Sequence, residues 1–131
     1  MSYQVSWFQE PRILYVRYYG KLTAEDIHEA NSQALVHLDT ATTPPVHTLV
    51  NVIDMTELGF VFKDVLKDEA VINVSSHKKL GWVVYFNKQN PIYTFMANVV
   101  GQSYEEKVKF LDTEAEAVAF LQRIDPTLKL S

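Results

Sequence analysis

The sequence predicts an α/β fold built on a mixed, mostly parallel sheet that is entered through an antiparallel hairpin. Three observations carry this. Val46 to Ile53 and Leu80 to Phe86 are runs rich in β-branched and aromatic residues, apolar on both side-chain parities, as interior strands covered on both faces must be. Segments with helical spacing of apolar residues separate the later strands, which implies right-handed crossovers and parallel pairing. Two strand-like runs at the N-terminus are joined by only Gln9-Glu10-Pro11-Arg12, a connection short enough for a hairpin.

The elements follow in order. Tyr3 to Phe8 reads as the first strand, with Tyr3, Val5 and Trp7 on one side. Proline sets the turn at Glu10-Pro11. Ile13 to Tyr19 is the second strand; Leu14, Val16 and Tyr18 point one way, Tyr15, Arg17 and Tyr19 the other, and Gly20 ends it. Leu22 to Leu38 is the clearest helix. Thr23 is placed to cap it, Asp26 completes a capping box, and Leu22 with Ile27 forms a hydrophobic staple. Ile27, Ala30, Ala34 and Leu38 then face the sheet, and Pro44-Pro45 blocks any continuation.

The central strand is expected to end at Asp54, where the chain turns polar and passes Gly59 into a helix over 60–73. Its apolar positions are Val61, Val65, Leu66 and Ile72. Ser75 to Lys79 is a polar connection. Asn90 and Pro91 suit a helix N-cap and first position, followed by an apolar face of Ile92, Phe95, Met96, Val99 and Val100. Lys107 to Leu111 is a short charged edge strand. Thr113 to Ile124 is the last helix, with Thr113 and Glu116 as a second capping box and Ala117, Leu121 and Ile124 buried. Asp125-Pro126 stops it, and the final five residues are expected to fray. The order is ββαβαβαβα in a single domain, 1–131.

Composition narrows the function. The chain has 131 residues, 12 basic and 16 acidic side chains and a net charge of −4. That balance argues against a nucleic-acid partner; the basic clusters are short, Lys78-Lys79 and Lys107 with Lys109. There are no cysteines, which removes disulfides, thiolate metal sites and a thiol nucleophile. The N-terminus lacks a secretory pattern and no apolar run approaches the roughly 18–20 residues of a membrane span. A cytoplasmic protein is the expectation.

Catalytic patterns are absent. His28 and His37 lie nine positions apart on one helix and point to opposite sides, and no H-x-x-x-H spacing exists, so no metal site is expected. Asp54 with Glu57 has the composition of an acid/base pair, but a carboxylate at a strand end more simply binds loop amides. Ser75 and Ser76 beside His77 do not make a triad, and Gly20, Gly59, Gly81 and Gly101 are too scattered for a phosphate loop. The aromatics Tyr15, Tyr18, Tyr19, Trp82, Tyr85, Tyr93 and Phe95 fall on elements that should pack together, and tyrosine and tryptophan often line pockets.

Element order and motifs together resemble the STAS or SpoIIAA-like superfamily. The matching marks are Gly20-Lys21-Leu22-Thr23-Ala24-Glu25-Asp26, the strand from Leu49 to Asp54, and Phe110-Leu111-Asp112-Thr113-Glu114-Ala115-Glu116-Ala117 at the final helix. The resemblance implies a non-enzymatic regulatory or protein-interaction domain without a cofactor. Its expected contact surface is the segment after the central strand: Asp54, Thr56, Glu57, Gly59, Phe60, Lys63 and Asp64. Anti-sigma-factor antagonists of this group carry a phosphorylated serine there; the position falls on Lys63 or Asp64, so the phosphoswitch does not carry over. The alternative is a binder of a small apolar or amphipathic molecule, lined by Tyr15, Tyr19, Trp82, Tyr85 and Tyr93. A third reading is an enzyme using Asp54 or His47. The charged edge strand disfavours edge-to-edge pairing of two copies and leaves a helix-mediated homodimer open.

Overall fold

β1 (Tyr3–Gln9) and β2 (Ile13–Thr23) form the predicted antiparallel hairpin, with Tyr3 opposite Tyr18 and Trp7 opposite Leu14. The computed structural model describes residues 2–87, 89–90 and 107–128. After the hairpin come α1 (Ala24–Thr40), β3 (Val46–Gly59), α2 (Phe62–Val65), α3 (Glu69–Ser75), β4 (Leu80–Phe86), β5 (Val108–Phe110) and α4 (Glu114–Ile124). The strands make one five-stranded sheet in the order β1-β2-β3-β4-β5. Pairing is parallel from β2 onward. The helix expected after Asn90-Pro91, with Tyr93 and Phe95, lies outside the described residues.

The caps form as local chemistry dictates. Thr23 Oγ1 accepts from Asp26 N and the Asp26 carboxylate accepts from Thr23 N, so two otherwise orphaned helix donors are satisfied. Leu22 and Ile27, the staple pair, are buried in one cluster. At α4 the expected second box forms only by half: Thr113 Oγ1 accepts from Glu116 N, without a return bond to the Glu116 side chain.

Two expected boundaries are corrected. Gly20, at φ +63°, does not end β2, and Asp54 does not end β3; the two strands continue side by side to Thr23 and Gly59. Register shifts between Arg17 and Tyr19 and between Gly20 and Lys21 absorb extra residues of β3. These bulges return Met55 to the core and leave Asp54, Thr56 and Glu57 outside. The predicted helix over 60–73 is instead two short helices. Asp68 breaks it, because its carboxylate accepts from Ala70 N and Val71 N and so starts α3 afresh. Val71 then faces the core, and Ile72, expected inside, is exposed.

Two layers sandwich the sheet. α1 and α3 pack together over one face, where Val16, Tyr18, Val50, Val52 and Met55 are buried. α4 covers the other face, where Ile13, Leu49, Val84 and Phe86 meet Ala117, Phe120 and Leu121. Beyond α4, expected to fray, Leu128 is buried in that same layer and its N–H donates to Asp125 O.

Candidate functional site

Between the sheet and the α1–α3 layer is a cavity of about 570 Å³. Val16 and Tyr18 of β2, Thr48 and Val50 of β3, and Val83 and Tyr85 of β4 form its floor. Ile27, Ala30 and Ala34 of α1 form one wall, and Val65, Val71 and Val74 of the α2–α3 segment another. α1 presents Ala30 and Ala34 to this space, and the break at Asp68 leaves only the short helices α2 and α3 beside it. Its size falls within the roughly 300–1,000 Å³ of small-molecule sites.

Polar side chains line it at Tyr18, Asn31, Thr48 and Tyr85 and cluster at the amino edge of the sheet. Tyr18 is buried, and burial with the Asp26 carboxylate nearby pushes its phenol above the ordinary range, so it stays protonated. At the amino edge of the sheet the lining passes through Ser75, Ser76, His77 and Lys78, with Lys107 at the approach to β5. His77 Nδ1 accepts from Lys79 N, so its Nε2 is the donor to Asp39 Oδ1 at 2.9 Å. On α1, the His28 imidazole sits 2.8 Å from Asp68 Oδ2. The hydrogen bond and charge of that carboxylate raise the His28 pKa, and His28 in turn helps depress that of Asp68 against its desolvation. Both pairs tie α1 to the chain that forms the far wall.

Of the five aromatic residues expected to share a pocket, the four that the structure describes are not brought together. Tyr85 lines the cavity and stacks on Phe110 with centroids 5.0 Å apart. Tyr15 and Trp82 project to the α4 face, against Phe86 and Phe120. Tyr19 lies under the Arg17 guanidinium, 4.8 Å from its ring centroid, and Tyr93 lies outside the described residues. Alternation on the strands decides this: Tyr15 and Tyr18 have opposite parity on β2. Tyr18 is the tyrosine of β2 that reaches the cavity, and the parity split was visible in the sequence before the face was known.

The segment expected to meet a partner forms one edge at the end of β3 and the start of α2. Thr56, Glu57, Gly59, Lys63 and Asp64 are exposed there. Asp54 is exposed too and holds Arg17 through Nη2 at 2.6 Å. Phe60 instead turns inward to line the cavity. Val61 leaves an apolar side chain exposed on this edge, at 61%, and Ile53 within β3 is exposed as well.

His47, considered as a catalytic residue, is locked into structure. It is 2% exposed. Trp82 N donates to Nδ1 at 2.9 Å, so Nε2 carries the proton and donates to Asp125 Oδ2 at 2.9 Å. Burial holds the His47 pKa below its ordinary value. Arg12 Nη2 meets the same Asp125 oxygen at 2.7 Å, and both side chains are 11% exposed. Against desolvation, bonds from Thr127 and His47 and the charge of Arg12 hold Asp125 at about 2. A Cβ on Gly81 would collide with the His47 ring, so glycine is required for the imidazole to lie there. With both nitrogens occupied, His47 has no free lone pair for base catalysis. The sequence offered no sign of this network, because its members lie in a turn, a strand and a helix stop. Among the described residues no cluster of three or more histidines and carboxylates could hold a metal.

No family model and no curated protein matches this sequence. The architecture is SpoIIAA-like. Among solved structures it is similar to an uncharacterised protein of the DUF3478 family with a SpoIIAA-like fold from Shewanella loihica PV-4. That match has a TM-score of 0.62 and 18% sequence identity, and covers 91% of each chain. Likeness at that identity concerns the fold. No helix among the described residues is long and apolar enough to cross a membrane.

Proposed function

We propose that the chain is a non-enzymatic binding protein that takes a small apolar or amphipathic molecule between its sheet and the α1–α3 layer. The cavity carries this reading: about 570 Å³ walled largely by valine, leucine, isoleucine and alanine side chains. Apolar space of that size in a domain of 131 residues forfeits dispersion contacts that a close-packed core would make, and a ligand restores them. The engaged state of both His47 nitrogens supports a binding role over a catalytic one. Native mass spectrometry of gently purified protein, followed by a thermal-shift screen of amphiphiles, tests it. Added mass or stabilisation by several degrees is expected; a clean apo mass with no stabilising compound would refute it.

The exposed apolar side chain of Val61 favours a second role, a protein contact along 54–64. A folded Thr56→Arg, Asp64→Lys variant that keeps every partner of the wild-type protein in a pull-down would remove that role.

A further inference from the structure

The molecule is acidic, with a net charge of −4, yet the ionisable side chains described on the cavity wall are Tyr18, Tyr85, His77, Lys78 and Lys107. No aspartate or glutamate is among the described lining residues. The two short basic clusters of the sequence divide here. Lys79 Nζ is spent on the end of α1, donating to Ala41 O at 2.9 Å, and Lys109 lies over the Phe120 ring on the α4 face. Lys78 and Lys107 are exposed and line the cavity, and among the described residues neither has a side-chain hydrogen bond or ion pair. Neighbouring donors are committed: the Ser75 and Ser76 hydroxyls both donate to Ile72 O, and the His77 Nε2 proton to Asp39.

We propose that the occupant is a single-chain amphiphile with an anionic head, of the long-chain carboxylate class. This rests on the ligand-binding reading and adds the head group and its place. The chain lies along the valine-lined body of the cavity, where it loses water without leaving a polar group unpaired. The carboxylate cannot follow, because an unpaired charge in that body would be heavily penalised. It stays at the amino edge of β4 and β5, in water, beside the Lys78 and Lys107 ammonium groups.

Calorimetric titration of the full chain with decanoate, decanol and decylamine below their aggregation concentrations tests this. Decanoate is expected to bind about three- to tenfold more tightly than decanol, the scale of two partly exposed charge contacts, and decylamine more weakly than either. Lengthening the carboxylate should tighten binding about fourfold per methylene until the cavity is full. A Lys78→Gln, Lys107→Gln variant, its fold checked by circular dichroism, should bind decanoate and decanol alike with the decanol affinity unchanged. Equal binding of decanoate and decanol by the wild-type protein overturns the head-group inference and leaves the cavity reading standing. A carboxylate preference that survives in the double variant overturns the assignment to these lysines. No binding by any of the three overturns both the inference and the reading beneath it.

Discussion

On the α4 face of the sheet, Ile13, Leu49, Val84, Ala117 and Leu121 are all fully buried, and a polar staple of His47, Asp125 and Arg12 pins the end of the helix to the starts of β2 and β3. On the α1 face, equally apolar strands meet about 570 Å³ of space, and the helices above are joined across it by exposed His–Asp pairs. The strands supply similar residues to both faces. Among the described residues, what differs is the helix laid over each: one continuous eleven-residue helix against one face, and a segment broken at Asp68 beside the alanine side of α1 on the other. Apolar patterning sets which side of a strand is buried, and the covering element sets whether that side is filled.

The largest expected effect breaks the staple. Asp125→Ala leaves the Arg12 guanidinium and the His47 N–H without their acceptor in a nearly dry site, and should cost about 2–4 kcal/mol of stability in urea unfolding. A loss below about 1 kcal/mol would mean that water replaces the carboxylate and that this face is less closed than described.

Next, paired substitutions compare the faces directly. Ala117→Leu forces extra methylenes into close packing and should cost about 1–3 kcal/mol. Ala30→Leu, buried but bordering the cavity, should cost less than about 1 kcal/mol, since its added atoms enter space that is already there. It should also weaken amphiphile binding. Equal costs for the two, measured as shifts in urea midpoint at unchanged m-value, would erase the distinction.

The smallest effect concerns pH. The raised His28 pKa means that its pairing with Asp68 contributes fully below the unfolded value of about 6.5 and is lost as pH rises through the folded value. Asp68, lowered by the same contact, keeps the pair until pH falls through its own depressed value. His47 has the opposite sign: held neutral by burial, it stabilises less as pH drops below about 6.5, because the unfolded chain takes up a proton that the folded chain refuses. Melting temperatures of wild type and His28→Asn should therefore differ most near pH 5 and converge by pH 8. A difference that does not change with pH would assign the clamp no titrating role.

Local chemistry was legible where it is local. The Thr23–Asp26 box, the Leu22–Ile27 staple and the interior character of Leu80 to Phe86 stand as read, because caps and strand parity depend on neighbours within a few residues. The end of β3 is not legible locally, because Asp54 has the composition of a stop. Its continuation depends on β2 running alongside with two bulges, which is a pairing between distant segments. The long helix over 60–73 failed for a related reason: the periodicity of Val61, Val65 and Ile72 was genuine, but Asp68 captures Ala70 N and Val71 N and takes a partner in His28, forty positions away.

The α/β class, the hairpin, the Thr23–Asp26 box and the parity of β1 and β2 were carried by the sequence alone, since these follow from side-chain alternation and from hydrogen bonds closed within a few residues. Only the tertiary structure decided which parity meets a filled layer and which a cavity, that Tyr18 and Tyr85 line it while Tyr15 and Trp82 do not, and that His47 is held by Asp125 across 78 positions. Those outcomes depend on how much volume a distant helix brings to a given face, and no residue's own neighbours along the chain carry that quantity.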